Sequence, residues 1–198
     1  TPFSYSKRLT SLVDNFGYNN VPRVIVDASL INKKIDSSFL SSIGYKYDNK
    51  NDKWFIKDLA ADYIYLGDAN INCIIPEQLK VICSYSEWIK NIKNRYPLMN
   101  LAEYKKNNIV SMKFLCLSSD SIIDNDVIEK LSNDKSVVLI INTDNDHGMV
   151  EQRNLFTKFM KFKIDVPIVI SRNYYDMPIN EIQVNASIDI GGLLVDGL

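Results

Sequence analysis

The chain is built around short runs of branched apolar residues, separated by longer stretches with polar surfaces. None of these runs shows the apolar–polar alternation of a strand that has one face in water. We therefore predict strands that are covered on both faces, as in a parallel sheet flanked by helices. The six clearest runs are Val24–Val26, Ile64–Leu66, Phe114–Leu117, Val138–Ile141, Ile168–Ile170 and Leu193–Val195.

The stretches between the runs carry helical signals. Asp36–Ile43, Ser86–Lys93, Asp124–Leu131 and Met149–Lys161 have apolar residues near helical spacing, and several begin with a residue that favours an N-cap. Strands that alternate with helices predict an α/β fold with a mainly parallel sheet. Many short repeats favour a (β/α)-barrel-like arrangement, complete or incomplete, over an open doubly wound sheet, which is the alternative.

Two regions add detail to this fold. Aromatic runs flank a polar turn near residues 45–56, which predicts a small β-hairpin. Near the end, Pro178–Ala186 predicts a short helix between the strands Ile168–Ile170 and Leu193–Val195, a β-α-β unit. Because a buried strand is a poor place for a natural chain to end, we expect residues 1–198 to be a single domain excised from a longer protein.

Charge and cysteine content argue against several functions. The net charge of −1 gives no electrostatic case for binding nucleic acid or an anionic membrane. No apolar run approaches the roughly 20 residues that span a bilayer. Cys73, Cys83 and Cys116 lie in or beside apolar runs without CxxC spacing. We therefore expect buried, inert thiols in a reducing compartment and no metal site.

Polar residues follow several of the predicted strands and form a candidate rim. Sites in parallel α/β folds lie at the carboxyl ends of strands, where carboxylates could hold Mg²⁺ and an arginine could bind phosphate. The alternative is that these side chains cap helices, form turns or pair as salt bridges. The rim consists of Asp27, Asp144, Asp146, His147, Arg172 and Asp196.

Six segments carry a more specific signal: Phe3–Leu9, Asn20–Pro22, Ala60–Gly67, Glu151–Phe156, Val166–Ile170 and Asp189–Leu198. Together they resemble the large inserted domain of the three-domain 4-hydroxy-3-methylbut-2-enyl diphosphate synthase family, the form of plants and Bacteroidetes-like bacteria. The resemblance covers essentially the whole chain, and its last segment is the most specific.

The resemblance implies a parent enzyme that reductively opens 2-C-methyl-D-erythritol 2,4-cyclodiphosphate in isoprenoid biosynthesis, by the methylerythritol phosphate pathway of the bacterial cytoplasm. It implies a substrate-binding barrel before this chain, a domain with a [4Fe–4S] cluster after it, and ferredoxin or flavodoxin as the electron donor. This chain would contain no catalytic, cofactor-binding or metal-binding residue and would serve as a spacer. The alternatives are an independent (β/α) enzyme that binds a phosphorylated ligand at the rim, and a docking module for the electron donor.

Overall fold

The computed structural model describes residues 7–31, 35–69, 71, 73–90, 93–119, 121 and 123–198. The chain divides into two compact units, one formed by Pro22–Met99 and the other by the residues before and after it. The strands are β1 (Ile25–Asp27), β2 (Tyr45–Asp48), β3 (Lys53–Ile56), β4 (Tyr63–Tyr65), β5 (Lys80–Ser84), β6 (Arg95–Met99), β7 (Lys113–Ser118), β8 (Val137–Thr143) and β9 (Ile168–Arg172). The helices are α1 (Ser37–Ser42), α2 (Tyr85–Trp88), α3 (Leu101–Lys106), α4 (Asn125–Asn133), α5 (Gly148–Lys161) and α6 (Ile179–Val195).

The unit Pro22–Met99 contains parallel strands in the order β1-β4-β5-β6. Ile64 lies opposite Val81 in this sheet and is fully buried, as a strand covered on both faces requires. The neighbouring helix α1 begins as its sequence predicts, because the Asp36 carboxylate accepts hydrogen bonds from the backbone N–H groups of Ser38 and Phe39. Leu40 of that helix packs into the core of this unit.

The predicted hairpin near residues 45–56 is confirmed as the antiparallel pair β2-β3. Tyr47 lies opposite Trp54, and their ring centroids are 5.0 Å apart. The turn is stabilised by Asp48, whose carboxylate accepts a hydrogen bond from the backbone N–H of Lys50 at 2.9 Å. The hairpin is joined to the core through Tyr45, which is buried and donates its hydroxyl proton to the carbonyl of Ala61.

The other unit contains the parallel strands β7-β8-β9. Leu115 lies opposite Leu139, which in turn lies opposite Ile168, so apolar side chains form rows across one face of the sheet. Helices cover this face with the buried side chains of Leu131, Leu155, Phe156, Phe159 and Leu193. The predicted helices Asp124–Leu131 and Met149–Lys161 are thus confirmed as α4 and α5, within one or two residues at their ends.

The α/β class with parallel sheet strands is confirmed. Within each unit the parallel strands are adjacent in chain order, apart from the separate hairpin. A doubly wound sheet reverses its strand order at a switch point, whereas a (β/α) barrel adds each new strand beside the last. Strand order inside each unit is therefore barrel-like.

Strand β6 was not predicted from the sequence. It contains Pro97, which has no N–H for the sheet and lies opposite Cys83 of β5. Proline in a short run with few branched residues is typical of a loop or an edge strand, so local signals argued against a strand here.

The prediction of a strand at Leu193–Val195 is wrong, and so is the β-α-β unit that depended on it. These residues form the last turn of α6, which begins at Ile179, as the Pro178 signal predicted, and continues through two glycines. Leu193 is fully buried, whereas Leu194 and Val195 are 45% and 74% exposed. Three consecutive apolar residues do not distinguish a buried strand from a helix that has only one side covered.

The predicted helix Ser86–Lys93 is shorter in the structure. Helix α2 ends at Trp88, and Asn94 has a positive φ of 60°, which a continuing helix does not allow. Asn91 and Ile92 lie outside the described residues.

Candidate functional site

Four of the predicted rim residues lie at the carboxyl ends of β8 and β9. Asp144, Asp146 and His147 occupy the exposed loop between β8 and α5, and Arg172 is the last residue of β9. We call this region, with the loop that follows β7, the carboxyl edge. The loops after β8 and β9 meet where the Asn173 side-chain amide donates to the Asp144 carboxylate at 3.4 Å.

Arg172 is held by contacts within the protein rather than presented to solvent. Its Nε donates to the Asp189 carboxylate of α6 at 2.9 Å. Its Nη1 donates to the carbonyl oxygens of Thr143 and Asn145 at 2.8 and 2.9 Å. The side chain is only 8% exposed, so Arg172 ties the loop after β8 to α6. This agrees with the ion-pair alternative for Arg172.

Gly148 permits this arrangement at the first residue of α5. A Cβ at this position would overlap the guanidinium group of Arg172. The close approach of the helix start to the arginine therefore needs a residue without a side chain.

A polar network that the sequence did not reveal lies behind the rim. Ser119 Oγ donates to Glu151 Oε2 at 2.6 Å, and the buried Thr143 hydroxyl donates to the same oxygen. Beside it, fully buried Gln152 donates from Nε2 to the carbonyls of Ile141 and Ser171, each at 3.2 Å. The first turn of α5 thus fastens to the ends of β7, β8 and β9. The one local signal was the pair of polar residues Glu151 and Gln152 beside the apolar positions of this amphipathic helix.

Asp27 belongs to the unit Pro22–Met99, and Asp196 lies at the end of a helix. Asp27 ends β1, and its carboxylate accepts hydrogen bonds from the backbone N–H and hydroxyl of Ser29 at 2.9 and 2.6 Å, a local turn. Asp196 does not follow a strand, because it is the C-cap of α6 and pairs with Arg153, whose Nε donates to it at 2.8 Å. The expectation that Asp196 lies at a strand end is wrong for the same reason as the predicted strand Leu193–Val195.

The opposite side of the β7-β9 sheet, which we call the amino edge, brings together distant parts of the chain around Arg8. One nitrogen of Arg8 donates to the carbonyls of Ile164 and Val166, just before β9, at 2.8 and 3.0 Å. Its guanidinium carbon lies 5.7 Å from the centre of the Phe156 ring. Burial lowers the pKa of Arg8 to about 10 although nearby Asp165 opposes the shift, so the group stays charged at neutral pH.

The backbone of Arg8 completes this contact. Its N–H donates to the carbonyl of Gly197 at 2.7 Å. Ser11 adds a second tie, because its N–H donates to the carbonyl of Asp165 at 2.7 Å. We call Arg8, Phe156, Val166, Asp196 and Gly197 the terminal junction. Four of the six segments that resemble the synthase family contribute to it.

The amino edge also contains a buried charge pair. Lys113 is 1% exposed, and its Nζ lies 2.8 Å from Asp134 Oδ2 and 2.6 Å from Ser136 Oγ. The Tyr104 hydroxyl donates to the same carboxylate at 3.1 Å. Burial raises the pKa of Asp134, but the hydrogen bonds from Lys113 and Ser136 outweigh it, so the net shift is downward.

The cysteines do not fit an iron–sulfur cluster. Cys83 is fully buried and Cys73 and Cys116 are partly buried, and burial raises the pKa of all three thiols. A cluster ligand must be a thiolate, which a raised pKa disfavours. Within the described part of the chain, no three His, Cys, Asp or Glu side chains are grouped as a metal site requires.

None of the helices in the described ranges combines the length and the apolar character that crossing a bilayer demands.

The chain is similar to three curated bacterial proteins, each named 4-hydroxy-3-methylbut-2-en-1-yl diphosphate synthase (flavodoxin). The Parabacteroides distasonis protein is 27% identical over 194 residues, which are 97% of this chain. Those of Phocaeicola vulgatus and Bacteroides thetaiotaomicron are each 25% identical over 201 residues, or 98% of this chain. No family model and no solved structure matches the chain. This chain spans only 28% of the length of these relatives. The resemblance read from the sequence is therefore confirmed as homology to a part of these synthases.

Proposed function

We propose that residues 1–198 are one non-catalytic domain of a longer 4-hydroxy-3-methylbut-2-enyl diphosphate synthase. In this proposal the domain is inserted between the barrel that binds the cyclodiphosphate and the domain that carries the cluster. It keeps these two parts at a fixed geometry while the parent enzyme reductively opens 2-C-methyl-D-erythritol 2,4-cyclodiphosphate. The proposal is supported by the three relatives. Each alignment covers 97% or more of this chain but only 28% of the relative's length.

The observation that carries the structural role is the hydrogen bond between the Arg8 N–H and the Gly197 carbonyl. It brings the paths of the chain at residues 8 and 197 to one place, so flanking segments would emerge side by side. Adjacent ends are what allows a domain to be inserted into a host chain without separating the host's own parts. The charges of the terminal junction, held by several fixed partners, would keep that exit geometry constant.

The cofactor and the electron donor belong to other parts of the parent in this proposal. The [4Fe–4S] cluster would supply electrons to the ring-opening step from its own domain, and no step is assigned to residues of this chain. Flavodoxin appears in the names of the relatives and is the proposed donor, with ferredoxin as the alternative. We propose that the parent works in the cytoplasm without nucleic acid or membrane as a partner.

The proposal is tested by comparing the gene product that contains these residues with the 198-residue chain alone. Both are incubated anaerobically with iron and sulfide, and visible absorption and reduction of the cyclodiphosphate are measured. We expect a chromophore and turnover from the intact protein and neither from the 198-residue chain. A stoichiometric chromophore or turnover from the 198 residues alone would falsify the structural role and favour an independent enzyme.

A second candidate function is docking of the electron donor by the β2-β3 hairpin. Phe55 is 60% exposed, and Leu59, which follows the hairpin, is 96% exposed. Lys46 lies opposite Phe55 on the adjacent strand and Lys53 lies near the turn, so the apolar patch has basic neighbours. An acidic donor such as a flavodoxin would complement them. If docking occurs here, Phe55→Glu should weaken flavodoxin binding by the intact protein while leaving cluster absorption unchanged. Equal flavodoxin binding by the variant and the unsubstituted protein rejects this candidate.

A further inference from the structure

Helix α6 is apolar on two sides, and the residues that the structure describes cover one of them. Ile182, Ala186 and Leu193 lie on its covered side. Val184, Ile188 and Val195 are 60%, 56% and 74% exposed. Gly191 lies between Ile188 and Val195 along the helix, and a Cβ added there would meet no atom within 4 Å. We call Val184, Ile188, Gly191 and Val195 the outer face of α6. Their spacing of four, three and four residues places them in one stripe along the helix.

Helix α4 shows what an ordinary surface helix of this chain looks like. Its buried residues are Val127 and Leu131, and its exposed residues are Asn125, Asp126, Glu129 and Asn133, all polar. A helix that is apolar all round is normally buried, and a contiguous exposed apolar stripe marks an interaction surface. The outer face of α6 therefore has the composition of a surface that is covered in the working protein.

The charges around α6 restrict what can cover it. From Asn173 to Leu198 the chain contains four acidic residues, Asp176, Glu181, Asp189 and Asp196, and no Lys, Arg or His. Asp189 and Asp196 are paired with Arg172 and Arg153, so the acidic charge beside α6 comes mainly from Asp176 and Glu181 near its start. A complementary partner is an apolar surface with a basic side chain opposite these two carboxylates.

We propose that the outer face of α6 docks against the part of the parent synthase that lies outside these 198 residues. This inference rests on the proposed function. The relatives are much longer than this chain, which spans 28% of their length, so such a part is available within one polypeptide. Helix α6 also runs directly into the terminal junction, where Gly197 pairs with Arg8, so a flanking segment would emerge beside its last turn. Attachment gives an effective concentration on the order of millimolar, at which a small apolar contact is populated.

The test measures accessibility of the outer face in the intact protein. Ile188→Cys and Val184→Cys are labelled with a maleimide, and modification is followed peptide by peptide with mass spectrometry. The matched control is Val110→Cys, because Val110 is 91% exposed and belongs to the segment between α3 and β7. We expect labelling at positions 184 and 188 to be slower than at 110 by about tenfold or more, equivalent to an opening free energy of about 1.4 kcal/mol. Adding Ile188→Glu to Val184→Cys should restore fast labelling at position 184.

Equal labelling rates at positions 110, 184 and 188 in the intact protein overturn the proposal. Protection that disappears on dilution overturns it too, because it identifies a second copy as the occupant. Cyclodiphosphate turnover is measured in the same preparations, so that a failure of α6 docking can be distinguished from a failure of the proposed function. Turnover without protection rejects docking by α6 and leaves the proposed function standing. Protection without turnover or cluster absorption rejects the synthase assignment, while an intramolecular contact on α6 is retained.

Discussion

The two edges of the β7-β9 sheet both contain a partly buried arginine, yet they are built differently. At the amino edge, Arg8 bonds to two carbonyls and joins residues near both ends of the chain. At the carboxyl edge, Arg172 also bonds to two carbonyls, but it joins a loop to the neighbouring helix through Asp189. Around Arg172 the loop residues Asp144 and His147 are exposed, whereas the amino edge adds the buried Lys113.

This difference bears on function. In barrel-like α/β proteins, residues at the carboxyl ends of strands usually perform chemistry, and those at the amino ends maintain stability. Here four of the six segments that resemble the synthase family meet at the terminal junction on the amino edge, and two of them also supply Glu151 and Asp189 to the carboxyl edge. At the terminal junction the matching residues join distant parts of the chain, which is what the proposed insert would require. The following predictions test this contrast between the two edges.

The largest effect is expected for Lys113→Ala at the amino edge. The substitution removes the buried partner of Asp134 and a donor to the Ile109 carbonyl. Breaking a buried ion pair from one side costs about 3–5 kcal/mol of unfolding free energy. The control is Lys105→Ala, which removes the exposed pair with Asp124 and should cost less than about 1 kcal/mol. Urea denaturation measures both, and similar costs for the two variants would contradict the buried role of Lys113.

Arg8→Ala should follow, at about 2–3 kcal/mol. The carbonyls of Ile164 and Val166 would lose their shared donor, and the contact with the Phe156 ring would be lost. Arg8→Lys keeps the charge but lacks the planar fork, so it should recover only part of the loss. Urea denaturation gives the cost, and hydrogen exchange should show faster opening near Gly197. Unchanged exchange there in Arg8→Ala would show that the terminal junction does not depend on this side chain.

Two glycine substitutions should change stability in opposite directions. Gly148→Ala places a methyl group against the Arg172 guanidinium and should cost about 1–3 kcal/mol through overpacking at the carboxyl edge. Gly191→Ala meets open space inside a helix and should add up to about 1 kcal/mol in the 198-residue chain. Thermal unfolding compares the two. A neutral Gly148→Ala would mean that Arg172 is not held as tightly as its contacts indicate.

A smaller effect concerns pH. The net effect of its hydrogen bonds with Lys113 and Ser136 is to hold the pKa of Asp134 below its ordinary value, so the group is ionised more readily in the folded than in the unfolded chain. Its stabilising contribution is present above the unfolded pKa of about 4 and is lost as the pH falls through the folded pKa. The free energy of unfolding, measured by urea denaturation between pH 6 and pH 3, should fall by roughly the contribution of one carboxylate. In Asp134→Asn the same acid-induced slope should be shallower, and an unchanged slope would assign it to other carboxylates.

The smallest effect is expected for His147→Ala at the carboxyl edge. His147 is exposed at the start of α5 and makes no side-chain cap to the helix. An exposed substitution of this kind should change stability by less than about 0.5 kcal/mol. The turnover of the intact synthase should be unchanged as well. A large loss of turnover with normal stability would shift the carboxyl edge from structure to chemistry.

Much of the fold could be predicted because local signals and tertiary packing agree. The run Val138–Ile141 is apolar on both faces and is completely or largely buried in β8. Asp36 and Asp124 have the side chains that cap helices, and both do so. The prediction failed where local signals conflicted with the tertiary partner. Pro97 disfavours a strand, yet β5 supplies its neighbour. Leu193–Val195 has the residues of a strand but continues a helix.

The candidate site could be predicted only in part. Strand-end position identified Arg172, Asp144 and His147 as neighbours at one edge, because parallel strands end on the same side of their sheet. It could not identify Arg172 as a residue whose donors bond within the protein, since Asp189 and the carbonyl of Thr143 reach it only after folding. Ser119 and Thr143 also follow from their positions at strand ends, but no local pattern shows that both hydroxyls donate to Glu151.

By itself, the sequence determined the α/β class, the main helices, the hairpin and the homology to diphosphate synthases, since these depend on local periodicity and on matched segments. Only the tertiary structure decided that Arg8 lies beside Gly197 and that Lys113 is buried with Asp134. It alone also revealed that α6 leaves an apolar face uncovered. The reason is that hydrogen bonds and burial between residues far apart in sequence depend on how the elements pack, and local sequence patterns carry no record of that packing.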